Sequence, residues 1–190
     1  MLLKDFLDQM EALAPRALAL DFDNPGLLIG PEKQDIRKVL VALDCSLATA
    51  KEAVDWGADL LLTHHPVFFG GVKHILPDDP ATAAPWLLMR HGIGLFAAHT
   101  NLDAAAGGVN DRLCEALGIS DPKPLEPDGM VRVGTIPPVP LGILPAVYST
   151  PCIPPCASQG RWIRLLLPWP CWVARAVTPF MQPKRRAHRR

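Results

Sequence analysis

The sequence has no acidic residue after Asp128. Residues 1–128 hold all 19 Asp and Glu against 10 Lys and Arg, whereas residues 129–190 hold 9 basic groups and no acid. A formal charge of zero thus hides halves of opposite sign, which do not read as one surface. No stretch of about 18 uninterrupted apolar residues occurs, because Pro and Arg punctuate every candidate, and this argues against a membrane span. The 5 cysteines are irregularly spaced. They form neither a disulfide framework nor a paired zinc ribbon, and Cys152 and Cys156 have no matching second half-site. Asp5 and Asp8 come too early for a secretory leader, and no long apolar region follows them, so the start reads as cytoplasmic.

What the sequence does have is length for one good domain, 190 residues, 49% of them hydrophobic. Its most informative stretch is Ala58 to Phe69. A short apolar run reads as a buried strand and ends in His64-His65, with Pro66 biasing His65 toward extended backbone. Neutral imidazole is a common metal ligand, and ligands gather at the carboxyl ends of strands in open α/β sheets. The alternative is that the pair caps a strand and bonds to loop backbone. A second stretch repeats the layout: Ile93 to Ala98 runs into a turn carrying His99 and Asp103. Neighbouring strands lie about 4.8 Å apart, so the two ends can converge. Consecutive extended residues point to opposite faces, so His64 and His65 suit two ions better than one, and Asp103 has the two oxygens needed to bridge them.

Three segments together, Asp23 to Gly30, Thr63 to Phe69 and His99 to Asp111, resemble the Nif-three-like family, whose members are often named GTP cyclohydrolase I type 2 homologs. The resemblance covers residues 1 to about 136. It implies an α/β fold with a mixed sheet flanked by helices, a dinuclear metal site and a toroidal homohexamer. By position it marks His64, His65 and Asp103 as metal ligands and His99 as a neighbour beside the metals. Two divalent ions are implied, and histidine with carboxylate suits Zn, Fe, Mn, Co or Ni alike. The activity implied is metal-dependent hydrolysis of a nucleotide-like substrate. No catalytic residue is singled out, and neither a membrane nor a nucleic-acid partner is expected.

The remaining elements follow from local rules. Leu3, Phe6, Leu7, Met10 and Leu13 predict an amphipathic helix over 2–13, ended by Pro15. Asp23-Asn24-Pro25-Gly26 reads as an ordinary turn. Lys38 to Asp44 predicts a strand covered on both faces, then Ser46 caps a helix through Trp56 that closes at Gly57. Asp44 ends its strand as His64 does. It can join the metal shell or orient an imidazole, although capping the next helix is the commoner role. Phe68 and Phe69 can form a pocket wall or an oligomer contact, although core packing is the commoner use of such aromatics. Asp79 and Pro80 are placed at the start of a helix running to His91, with Gly92 behind it. Gly107-Gly108 precedes a helix carrying Val109, Leu113 and Leu117, and such a turn can receive a phosphate.

From about Pro137 the character changes. Residues 137–190 hold 11 of the 21 prolines, three of the five tryptophans and three of the five cysteines, with an Arg-rich end. No hydrophobic period survives, so the domain is bounded at 1–136 and 137–190 reads as an irregular Pro/Arg-rich segment, disordered or translated out of frame. The alternative is a genuine basic tail from Lys184 to Arg190 that binds nucleic acid or anionic lipid. The family resemblance implies a further histidine and a glutamate from the second half of the fold. His188 lies in the basic tail and no glutamate follows Glu126, so neither has a match. Three functional readings follow: a metal-dependent hydrolase, a non-catalytic metal-binding or interaction protein, and an inactive fragment with an incomplete site.

Overall fold

The computed structural model describes residues 1–138 and three two-residue strands beyond them, Leu165–Leu166, Trp172–Val173 and Arg175–Ala176. The predicted irregularity of 137–190 otherwise falls outside the described residues. The chain forms two units, Met1–Val109 and Asn110–Arg190.

The first unit is built on a mixed four-stranded sheet. In chain order its elements are α1 (Leu3–Leu13), β1 (Gly26–Ile29), β2 (Val39–Ala42), α2 (Leu47–Trp56), β3 (Leu60–Thr63), α3 (Ala83–Arg90), β4 (Gly94–Ala97) and α4 (Thr100–Ala104). The strand order is β1-β4-β3-β2, with β2, β3 and β4 parallel and β1 antiparallel to β4. Successive strand residues point to opposite faces, so Leu60 and Leu61, both fully buried, enter different cores. Leu61 and Leu95 pack with Ala50 and Ala53 of α2 and with Ala84 and Leu88 of α3. Leu60, Phe96 and Ala98 pack with Leu3 and Met10 of α1, joined by Phe6 and Leu7. Four of the five residues of the apolar stripe read from the sequence of α1 therefore form the face it lays on the sheet, while the fifth, Leu13, is exposed. Fold class and mixed sheet are as expected.

Local chemistry fixes the helix ends. Ser46 Oγ accepts the Thr49 N–H, and Gly57 closes α2 at φ 68°, a left-handed conformation that glycine adopts without a Cβ penalty. Replacing Ser46 by alanine is expected to cost about 1 kcal/mol, read as a lower denaturant midpoint at unchanged slope.

Three expectations are corrected. The first concerns β2, which lies at a sheet edge, leaving Val41 69% exposed; an apolar run without alternation did not mean cover on both faces. The second concerns Asp79, which closes a turn before the helix rather than capping it: its side chain accepts the Ala81 N–H and its carbonyl accepts those of Thr82 and Ala83. Buried Thr82 bonds to the Leu76 backbone, and α3 starts only at Ala83. The third is Phe69, which is exposed instead of packed in the core.

The second unit carries all but the first residue of α5 (Val109–Ala116), then β5 (Ser120–Pro124) and β6 (Arg132–Thr135), with β5 antiparallel to β6. Buried Arg132 pairs with Asp111 and also donates to the Gly129 carbonyl, so its charge is compensated where water is excluded. Asn110 Nδ2 donates to the Met130 carbonyl.

Candidate metal centre

Parallel pairing of β3 and β4 in register, Thr63 opposite Ala97, brings both carboxyl ends to one edge of the sheet. The ladder continues past the strand ends: Ala98 N–H donates to the Thr63 carbonyl, and His64 and His65 N–H donate to Ala42 and Leu43. His64, His65 and His99 are thereby carried on rigid backbone. One ring nitrogen from each lies within 4.8 Å of one from each of the others. Their ring centroids stand 4.9 to 5.5 Å apart.

Each imidazole is oriented by an oxygen. His64 Nδ1 lies 2.8 Å from the Ala98 carbonyl, His65 Nδ1 2.6 Å from Asp44 Oδ1, and His99 Nδ1 2.9 Å from Asp23 Oδ1. Carbonyls and carboxylates only accept, so Nδ1 carries a proton in all three, and in the neutral ring the lone pair falls on Nε2. Metal-ligating histidines are held in this way by their outer partners. Burial depresses the His64 pKa and the nearby His99 and His65 add to that, outweighing the bond to Ala98 and the charge of Asp23, which oppose it. A neutral His64, ready to ligate, is the result.

Asp103 lies under this cluster. Its side chain is 7% exposed and its Oδ1 stands 3.5 Å from His64 Nε2, while that same oxygen is buried with no hydrogen-bond partner. Burial pushes its carboxyl up to about 6 against the pull of His99 and His65. A buried carboxylate oxygen left unbonded is costly in a folded protein. Two donors each about 2.1 Å from one tetrahedral ion stand about 3.4 Å apart, so the His64–Asp103 spacing fits a shared cation. The donor set and the orphaned oxygen both suit a divalent metal.

The structure brings together all four residues that the sequence singled out. It also adds two that the sequence reading missed or placed elsewhere. Asp44 orients His65 instead of capping α2, a role Ser46 already fills. Asp23, from the turn read as ordinary, holds His99 across 76 residues of chain. No local signal marks that contact. Exposed Phe69 stands with its ring 5.8 Å from His99, forming a wall of the site. The Gly107-Gly108 turn offers less than expected, since Gly108 N–H is spent on the Ala105 carbonyl. A Cβ at Gly108 would stand 1.9 Å from the Leu102 carbonyl oxygen, so close packing demands that glycine.

A mixed sheet that gathers three imidazoles beyond the ends of two parallel strands, with a buried carboxylate from the helix that follows, defines an α/β domain with a cluster able to hold a metal ion. Its sequence matches the profile of the family described as Duf34/NIF3 (NGG1p interacting factor 3) over residues 1–144, and the chain belongs to that family. A "GTP cyclohydrolase 1 type 2 homolog" from Clostridium perfringens is 40% identical over 139 residues, covering 70% of this chain and 53% of the relative. Among solved structures, "Reduced HcgD" from Methanocaldococcus jannaschii aligns at TM-score 0.62 and 37% identity over 68% of this chain and 52% of that one. A Bacillus cereus protein related to NIF3 aligns at 0.61 and 37% identity over 65% of this chain and 34% of that one. The chain thus spans between a third and about half the length of these relatives.

Proposed function

We propose that this chain carries the metal-binding half of a metal-dependent hydrolase acting on a nucleotide-like substrate. His64, His65 and Asp103 would hold two divalent ions, drawn from Zn, Fe, Mn, Co or Ni, with His99 beside them. The observation that carries this reading is the partnerless buried Oδ1 of Asp103 at 3.5 Å from His64 Nε2, among imidazoles whose Nε2 lone pairs are all kept free. Bound divalent ions supply Lewis acidity and a nucleophilic water at neutral pH. The protein's own part is to present neutral nitrogens on strand ends and to offer Phe69 as an apolar wall for a planar ring. The relatives' name supports a nucleotide-like substrate, and a homohexamer is what the family resemblance implies. No helix among the described residues is long and apolar enough to cross a membrane.

A second reading is a metal-binding protein without turnover. It is favoured by the cluster itself: three ring nitrogens within 4.8 Å of one another can hold an ion, and no catalytic residue is singled out beside them. One experiment separates the two: metal content per chain by elemental analysis, with turnover measured on a nucleoside triphosphate panel including GTP. Chelator-sensitive hydrolysis at full loading supports the hydrolase. Full loading without hydrolysis supports the binding protein, and negligible metal overturns both.

A further inference from the structure

The turn Asp23-Asn24-Pro25-Gly26 lies outside the donor set, yet it reaches both histidine-bearing segments. Asp23 has a side chain with no exposure. Its Oδ1 accepts the Asn24 N–H at 2.7 Å and the His99 Nδ1–H at 2.9 Å. Its Oδ2 accepts the Thr100 N–H at 3.0 Å and the Thr100 hydroxyl. That hydroxyl in turn accepts the Leu20 N–H, which leaves its hydrogen for Asp23. One residue on, Asn24 Nδ2 donates to the Phe68 carbonyl at 2.9 Å, tying the same turn to the segment that follows His65.

From this arrangement we infer that Asp23 is a positioning residue: it fixes His99 in the Nδ1–H tautomer and so makes His99 Nε2 a third nitrogen donor facing the His64–His65 centre. Only a carboxylate meets the demand. Both oxygens face backbone N–H groups that cannot change roles, so both must accept. An asparagine would set its NH₂ against either Thr100 N–H or Asn24 N–H. In the second orientation it would also face His99 Nδ1 and drive the ring to the opposite tautomer, with Nε2 protonated and its lone pair lost. Burial would push the Asp23 carboxyl up, but the Thr100 and His99 side chains and the backbone N–H groups of Asn24 and Thr100 outweigh it and hold it below the usual carboxylate range. The carboxylate is thus ionised and acceptor-only at neutral pH. The purpose assigned to His99 rests on the metal-centre reading, whereas its tautomer does not.

The test is long-range ¹H–¹⁵N correlation of the histidine rings in the ¹⁵N-labelled, metal-free full chain at about pH 8, paired with Co(II) titration. Wild type is expected to show His99 protonated at Nδ1 and bare at Nε2. In Asp23→Asn at least half of His99 should shift to the Nε2–H form, with Co(II) affinity falling about 10- to 100-fold. Thr100→Val removes one donor to Asp23 but leaves the His99 contact, so it should lower stability without moving the tautomer. His99 protonated at Nε2 in wild type overturns the assignment, and so does a folded Asp23→Asn with an unchanged His99 spectrum and Co(II) affinity. Should Asp23→Asn not fold, the wild-type spectrum and Thr100→Val decide. Absence of Co(II) binding in every form would sink the metal-centre reading and leave the tautomer assignment standing on its spectrum.

Discussion

Joint replacement of His64 and His65 by alanine is expected to abolish metal binding. The content measured by elemental analysis should fall from about two ions per chain, the count of a paired hydrolytic site, to none. Losing an outer hydrogen-bond partner of a metal ligand typically costs about 10- to 100-fold in affinity, and losing two imidazole donors must cost more. Both rings sit at the end of β3, where the ladder to Ala42 and Leu43 carries their backbone, and neither belongs to the apolar clusters on the two faces of the sheet. The fold should therefore survive the change, with an unaltered far-ultraviolet spectrum. Retained metal at wild-type level in the double variant would show that the ions, if bound, sit elsewhere.

The opposite trade is expected at Asp103. In the metal-free protein its carboxyl is raised from 3.8 to about 6, first by burial, and its Oδ1 has no partner. The sign follows from proton linkage. Between about pH 4 and pH 6 the folded chain holds a proton that the unfolded chain has released. This group therefore makes stability fall as pH rises through that window, and the full penalty is present above about pH 6. A displacement of this size corresponds to about 3 kcal/mol. Asp103→Asn keeps the shape and removes the charge, so at pH 8 the metal-free variant should be about 1 to 3 kcal/mol more stable than wild type. The gain should vanish by about pH 4. His64 works in the other direction, since its depressed pKa makes stability rise with pH through its ordinary value of 6.5. The informative quantity is accordingly the difference between the two proteins read between about pH 4 and pH 6, the window in which Asp103 itself changes charge. A flat difference would show that Asp103 is not a buried, uncompensated charge. With divalent metal added the order should reverse, because the variant loses an anionic ligand. A site that destabilises its own apo form is a common signature of function.

How far the site was legible depends on the distance over which each contact acts. Ser46 and Gly57 bound α2 through contacts within a few residues, and such caps are written in the local sequence. His64, His65, His99 and Asp103 were also readable, because short apolar runs ending in polar ligands mark strand ends in α/β sheets. Asp44 was misread because a carboxylate after a strand and before a helix has two local uses, and only the approach of β3 to β2 selected His65. The edge position of β2 was hidden for a similar reason. Which strand lies outermost is a property of the sheet order, and Val39 to Ala42 is as apolar as an interior strand.

The sequence by itself determined the alternation of strands and helices in the first unit, the two caps of α2, and the four polar residues that follow β3 and β4. Tertiary structure alone decided that those residues meet, through the parallel register of Thr63 with Ala97. It also decided which ring nitrogen each histidine keeps free, through Ala98, Asp44 and Asp23. The physical reason is range: periodicity and capping act over one or two turns of chain, whereas a tautomer is set by whatever oxygen the fold delivers. For His99 that oxygen comes from 76 residues away.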